Sequence, residues 1–255
     1  MPAGTIATTL DRLLGGRVVL EQPVAGFRAA IDAVLVAAAV EARPGSRVLD
    51  AGCGTGAATL CLARRRPDLA LVGLERDPAT VALAVRNVER NALGGPVGLR
   101  VEVVQGDLLE PPAAVKGSFD AVLTNPPFNA ADGRAAAQPS RAAAMVDEVG
   151  PAAWLGACLR RLAPGGRLVL IHRADRLPAV LAALEPMAGA IEIVPLWPGP
   201  EAASAKRVIV RCRKGARGPA ILSRGLVLHD RAGNFSEAAE AILRHGAALD
   251  DVLAG

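Results

Sequence analysis

From Ser46 onward, short apolar runs alternate with stretches in which apolar residues recur every three to four positions. That is the pattern of strands separated by helices in successive βαβ units. It predicts strands over residues 47–50, 69–75, 100–105, 119–124, 167–172, 191–196 and 207–211. The helices between them are punctuated. One runs from Ala57 and stops before Pro67, because a residue ahead of proline avoids helical geometry. Another takes Asp77 as N-cap with Pro78 in its first position and ends near Gly94–Gly95. A third starts at Pro151 and ends at Pro164-Gly165-Gly166. The connection over 197–205 is too short for a crossover helix, so the last two strands should pair antiparallel. The expected fold is α/β: a seven-stranded, mostly parallel sheet with an antiparallel last strand and helices on both faces.

The flanks read differently. Residues 1–45 hold a strand-like 17–20 and a helix from about Asp32, and are expected to form a cap segment. Residues 46–213 form the core. Residues 214–255, an extension expected to pack on it, hold a strand-like 225–228 and a helix. Asn234 is expected to cap that helix, with Glu237 three residues on, and Gly246 to end it. The Ala-rich 130–144 reads as a mobile loop, and no internal repeat is present.

Composition narrows the class. Hydrophobic residues make up 51% of 255, yet no apolar run reaches the ~18–20 residues of a membrane span. No basic region precedes an apolar run near the start, so no secretory signal is expected. Cys53, Cys61, Cys158 and Cys212 lack CxxC spacing, and His172, His229 and His245 lie far apart. Neither a metal site nor a disulfide framework is implied, and a reduced, cytoplasmic protein is the simplest expectation. The net charge is only +4, but no acidic residue falls within 202–229. Lys206, Arg207, Arg211, Arg213, Lys214, Arg217 and Arg224 crowd into that stretch, which suits a polyanion or makes a solvated basic face.

The first core strand runs into Asp50-Ala-Gly52-Cys-Gly54-Thr-Gly56, which opens a helix. Glycines let such a turn run tightly and bring backbone N–H groups to a ligand. The spacing is GxGxG, not the GxGxxG of dinucleotide folds. Asp50 suits a ligand carrying an ammonium and would repel a pyrophosphate. Glu75 ends the next strand, where its two oxygens can accept from ribose hydroxyls. S-adenosylmethionine has an ammonium, a carboxylate and a ribose but no phosphate, and is the cofactor these features fit; a purely structural loop is the alternative. At the end of the third strand, Asp107 could accept from an adenine amino group with Leu108 against the ring, or serve as a turn acid.

Asn125-Pro126-Pro127-Phe128 follows the fourth strand. Two prolines remove two donors and fix two φ angles, making a rigid loop that presents the Asn125 amide and the Pro126 carbonyl as acceptors. The nitrogen of an aromatic amine or an amide is a poor nucleophile because its lone pair is delocalised. Two acceptors gripping its N–H groups turn that lone pair toward a methyl sulfonium, so that catalysis is mostly orientation and charge placement. Phe128 would stack on the planar substrate group. Trp197, in the turn between the last two strands, could stack on a base or plug a hydrophobic gap.

Together the glycine loop, Glu75 and NPPF resemble the class I amino-methyltransferases, whose fold is Rossmann-like. Thr8-Thr9-Leu10-Asp11, Gly15-Gly16-Arg17 and the segment from Gly26 to Leu35 resemble the opening of the bacterial tRNA(Val) adenine-37 N6-methyltransferases. Ala205-Lys206-Arg207-Val208 and the tail from Leu228 to Phe235 resemble that family's last strand and tail. The resemblance implies that Phe27 and Asp32 lie over the methionine end of the cofactor, though Asp32 also reads as an ordinary acid at a helix start. Ala30-Ile31 replace the family's usual Gly-Thr, and Phe128-Asn129 a more usual aromatic pair. The expected reaction is therefore methylation of adenine N6 in tRNA, at position 37 of tRNA(Val), with the base extruded over NPPF. Glutamine-N5 methylation of release factors is an alternative, although those enzymes carry NPPY behind a helical domain with no counterpart here. Guanine-N2 methylation of rRNA is another, and a cofactor binder without catalysis is disfavoured by the intact Asn-Pro-Pro.

Overall fold

A computed structural model describes residues 7–25, 28–92, 100–126 and 141–254, the side chains of 141–149 excepted. Its centre is a sheet of nine strands. The strands are β3 (Arg47–Ala51), β4 (Ala70–Glu75), β5 (Val101–Gln105), β6 (Phe119–Thr124), β7 (Leu162–Arg173), β8 (Ala188–Trp197), β9 (Arg207–Lys214), β10 (Ile221–Leu222) and β11 (Leu226–Val227). Along the sheet the order is β10-β8-β9-β7-β6-β3-β4-β5, with β11 also on β8. Strands β3 to β7 pair in parallel, and β9 runs antiparallel between β7 and β8. The seven expected strands are therefore present with the expected antiparallel pair. The two additional strands are two-residue pieces of the C-terminal extension: β11 falls within the strand-like 225–228, and β10 is too short to leave a periodic signal.

The strands are apolar on both faces because helices cover both. Val48, Ala121, Leu123, Val169, Ile171 and Ile209 point to a core shared with α1 (Ile31–Ala38), α2 (Ala57–Arg65), α6 (Glu237–Leu243) and α7 (Leu249–Leu253). Their neighbours Leu49, Val122, Leu168, Leu170 and Val210 point to the opposite core, with α4 (Arg141–Arg161) and α5 (Leu177–Leu184). Both flanks contribute to the first core, through Leu14, Val18 and Leu20 at one end and Ile242 and Leu249 at the other.

The strand-like 17–20 is present from Val18 as the start of β2 (Val18–Pro23), which forms a hairpin with an unexpected β1 (Thr8–Leu13). TTLDRL gave no strand signal because it is largely exposed. Two other local expectations are corrected. In the tail, Ser236 and not Asn234 caps α6, accepting from the Ala239 N–H at 3.1 Å. Asn234 is held in the preceding turn, where its N–H donates to the Asp230 carboxylate and its carbonyl accepts from the Asp230 N–H. Of the expected loop 130–144, residues 141–144 are helical and 130–140 lie outside the described residues. The helix run of α4 breaks at Gly150 (φ 74°), so its second part does start at Pro151.

The helix α3 (Pro78–Ala92) is capped as its sequence suggests, Asp77 accepting from both the N–H and the hydroxyl of Thr80. Its Asn87 and Asn91, one turn apart and buried, grip the free edge of β2. Asn91 Oδ1 accepts from Val19 N–H while its amide donates to Val19 O. Asn87 makes the same pair of bonds with Glu21. Two amides thus imitate a neighbouring strand and satisfy an edge that would otherwise lie buried unpaired.

Candidate active site

Strands β3 and β6 are neighbours, but the chain leaves β3 for β4 on one side and β6 for β7 on the other. At such a switch point the loops leaving the carboxyl ends diverge and open a crevice. The glycine loop leaves β3 there, and Asn125 follows β6.

Gly52, Gly54 and Gly56 adopt φ of 75°, 57° and 88°, left-handed geometry that side chains resist. The loop folds back on the end of β4: Gly52 N–H and Cys53 N–H both donate to Leu74 O, and Gly54 N–H donates to Glu75 Oε2 at 3.1 Å. Oε1 of Glu75 accepts from Arg76 N–H and Asp77 N–H at 2.8 and 2.9 Å. Glu75 therefore shapes the loop; Oε1 is occupied by two donors, and Oε2, with one, retains a lone pair for a further donor. Asp50 is 3% exposed, and Thr59 Oγ1 donates to its Oδ2 at 2.6 Å. Burial pushes its carboxyl up to about 6, the nearby charge of Glu75 adding to the shift. A cationic partner at that carboxylate would reverse the shift.

At the end of β5, Asp107 Oδ1 accepts from Leu109 N–H at 2.9 Å, while Oδ2 lies 3.6 Å from the Arg76 guanidinium. The expectation for Leu108 is revised. Its side chain is 3% exposed and belongs to the core under the sheet, so it offers a ring no face. An apolar side chain gains more from that core than from a wet crevice.

Asn125 carries the most informative atom. Its Oδ1 is buried and has no hydrogen-bond partner among the described residues. Pro126 is buried beside it; Pro127, Phe128 and Phe27 lie outside the described residues. Directly before Asn125, the hydroxyl of Thr124 donates to Ala51 O at 2.8 Å and accepts from Trp154 Nε1–H at 3.2 Å. The Trp154 ring rests on Gly52, where an added Cβ would lie 3.1 Å from Cζ2. The sequence reading passed over Trp154. The signal available was a tryptophan one turn into a helix in a chain only 2% aromatic. His172 ends β7 near the same edge. Burial pushes its imidazole down to about 4, which leaves it neutral around pH 7.

The remaining candidates divide. Because β9 runs antiparallel, its start lies at the crevice edge and its end at the opposite edge: Arg207 pairs with Arg173 at the end of β7, Arg213 with Arg167 far back along it. Arg207 Nε meets Asp32 Oδ2 at 2.8 Å, joining two residues expected in separate roles. Lys206 is exposed at the same edge. Arg211, by contrast, is engaged by Glu192 at 2.7 Å, Asp250 at 2.6 Å and Glu41 at 3.9 Å. Lys214 donates to Leu162 O at 2.6 Å, and Arg213 lies near Gly165 O. The basic run is thus not one face. Among the described residues no group of three or more His, Cys, Asp or Glu is placed to hold a metal ion, and no helix is long and apolar enough to cross a membrane.

A glycine loop after β3, acids at the ends of β3 and β4, and an antiparallel β9 set between β7 and β8 define a class I S-adenosylmethionine-dependent methyltransferase fold. The model of the methyltransferase small domain matches residues 30–193, and the chain belongs to that family. Its fold and family make S-adenosylmethionine the cofactor of the crevice. The release factor glutamine methyltransferase of Salmonella typhimurium is 35% identical over 146 residues, 53% of this chain and 50% of that protein. The chain thus spans about half the length of this curated relative. The tRNA1(Val) (adenine(37)-N6)-methyltransferase of Aeromonas hydrophila is 30% identical over 212 residues, covering 81% of this chain and 84% of that protein. Among solved structures, a predicted O-methyltransferase from Agrobacterium tumefaciens superposes with a TM-score of 0.71 at 25% identity, over 85% of this chain and 97% of its own.

Proposed function

We propose that the chain transfers the methyl group of S-adenosylmethionine to N6 of an adenine in tRNA, at position 37 of tRNA(Val). The observation that carries the reading is the buried Oδ1 of Asn125 at the switch point, which has no hydrogen-bond partner among the described residues. Leaving an acceptor so costs about 1–3 kcal/mol, a cost that an amine donor arriving with substrate would remove. That donor is an N–H of the acceptor amine. With the Pro126 carbonyl on the second N–H, the nitrogen lone pair is turned toward the crevice where the methyl group is delivered. Asp50 would hold the cofactor's ammonium, Glu75 its ribose and Asp107 its adenine, while Gly52, Gly54 and Gly56, whose own N–H groups are engaged within the protein, would let the loop lie close against its methionine end. Phe27 and Asp32 would cover the methionine end, and Phe128 would stack on the base.

Adenine is favoured over glutamine because the alignment with the adenine-methylating relative runs through most of both chains, while that with the glutamine enzyme covers half of it. On this reading residues 1–45 form a cap and 214–255 an extension, and Lys206 and Arg207 face the RNA. The four cysteines, all free and buried, are consistent with work in the cytoplasm. The test offers labelled cofactor with unmodified total tRNA, purified release factors or rRNA, followed by mass spectrometry of nucleosides and peptides. N6-methyladenine in tRNA is the expected product. Label only on a release-factor glutamine or on guanine of rRNA would replace this reading with the alternative.

A further inference from the structure

Two side chains join the two loops of the crevice. The parallel ladder between β3 and β6 ends at Asp50↔Leu123. One residue later the strands part, β3 into the glycine loop and β6 into Asn125. A backbone bond no longer spans the gap, and a side chain does so instead: Thr124 Oγ1 donates to Ala51 O at 2.8 Å. Thr124 is fully buried, and its hydroxyl is oriented from the other side by the indole N–H of Trp154 at 3.2 Å. A hydroxyl that both accepts and donates makes each bond stronger than it would be alone. The same indole presses its ring edge on Gly52, with Cζ2 and Cη2 at 3.1 and 3.2 Å from the place of a Cβ. Trp154 therefore touches the cofactor loop directly and the acceptor loop through Thr124.

We infer that Thr124 and Trp154 are positioning residues that hold the acceptor-gripping Asn125 at a fixed distance from the cofactor loop. The inference rests on the reading of Asn125 as the residue that holds the acceptor amine. Neither side chain needs to touch a reacting atom. Methyl transfer requires the nitrogen and the methyl carbon in line and near contact, and a misplacement of about 1 Å costs on the order of a hundredfold in rate. Of the cofactor's own anchors, Asp50 is held by Thr59 and Glu75 Oε1 by the N–H groups of Arg76 and Asp77, none of which this bridge touches. Loosening the bridge should therefore separate rate from cofactor affinity.

The test compares full-length Thr124→Val, which keeps the volume and removes the hydroxyl, with Thr124→Ser, which restores it, and with Trp154→Phe, which keeps a ring and removes the N–H. Amide hydrogen exchange of the cofactor-free protein gives a readout that needs no substrate. Exchange at Gly52–Gly54 and at Asn125 should rise together by about tenfold in Thr124→Val and Trp154→Phe, the effect of one lost hydrogen bond, and stay at the wild-type level in Thr124→Ser. With tRNA, kcat should fall about ten- to a hundredfold in the first two variants while calorimetric affinity for S-adenosylmethionine stays within about threefold. Unchanged exchange, or a change confined to one loop, would overturn the inference. So would rate and cofactor affinity falling in parallel with melting temperature, the mark of general loosening. If no RNA is methylated even by the wild type, the functional reading fails while the exchange experiment still decides whether the bridge exists.

Discussion

At Asn125 stability and function pull apart. Its Oδ1 is buried with no partner among the described residues, and such an acceptor destabilises the cofactor-free fold, so its removal should not harm that fold. Asn125→Ala is expected to melt at or above the wild-type temperature, to bind S-adenosylmethionine normally, and to lose about 10²–10³ in single-turnover rate. Full turnover in that variant would remove the case for amino-group methylation. Asp50 makes a second residue-scale prediction. Its carboxyl is raised from an ordinary 3.8 to about 6, so the native state binds more proton than the unfolded chain between those values. Cofactor-free stability is then greatest below the ordinary value and falls as pH rises through that window. A cationic ligand needs the ionised form, so affinity should run the other way, rising from pH 5 toward a plateau above about 6–7. Asp50→Asn should abolish that dependence in calorimetric titrations, with affinity lowered throughout; a retained pH slope would place the titrating group elsewhere.

At the scale of elements, the N-terminal hairpin is fastened to the glycine loop by one helix. Asn87 holds both backbone groups of Glu21 and also donates to Thr55 O within the loop. Glu21 in turn accepts from Arg86 and Arg90 of the same helix, first of all from Arg86, which holds its carboxyl down at about 2. These guanidiniums are about half exposed, so the two ion pairs contribute at most about 0–1 kcal/mol each. The amide bonds should matter more. Asn87→Ala orphans a donor and two acceptors and is expected to cost at least about 1–3 kcal/mol in denaturant unfolding. It should also speed proteolytic cleavage within residues 7–25. A hairpin protected as in the wild type would show that apolar packing of Val18 and Leu20 suffices.

At the scale of the molecule, the antiparallel β9 carries its basic residues from one edge of the sheet to the other. Only its beginning lies at the crevice, so Lys206→Ala should flatten the salt dependence of RNA binding by about one unit per lost phosphate contact. Arg211→Ala should leave that slope alone. It would instead leave Glu192 and Asp250, both partly exposed, without their shared partner, at a cost of about 1–2 kcal/mol. A slope flattened by Arg211→Ala and untouched by Lys206→Ala would reverse the assignment.

Much of this protein is written locally in its chain. Alternating apolar runs set the parallel strands, proline and glycine set the helix ends, and the glycine loop, Glu75 and Asn125-Pro126 stand next to strand ends that periodicity alone marks. What the chain could not show on its own depends on contacts between residues far apart in it. The polar strand β1 exists because β2 has an edge to pair, and β2 is held because two asparagines some seventy positions on face it. The basic run looked like one face because charge adds up along a sequence, whereas neighbouring strand residues point to opposite faces and a reversed strand carries them across the sheet. Trp154 gave no sign of its place beside Gly52, since only the packing of α4 against the sheet brings the indole to the gap where β3 and β6 part. Strand and turn chemistry acts between neighbours in the chain and is legible there; the bridging of a crevice acts through space, and only the folded chain decides it.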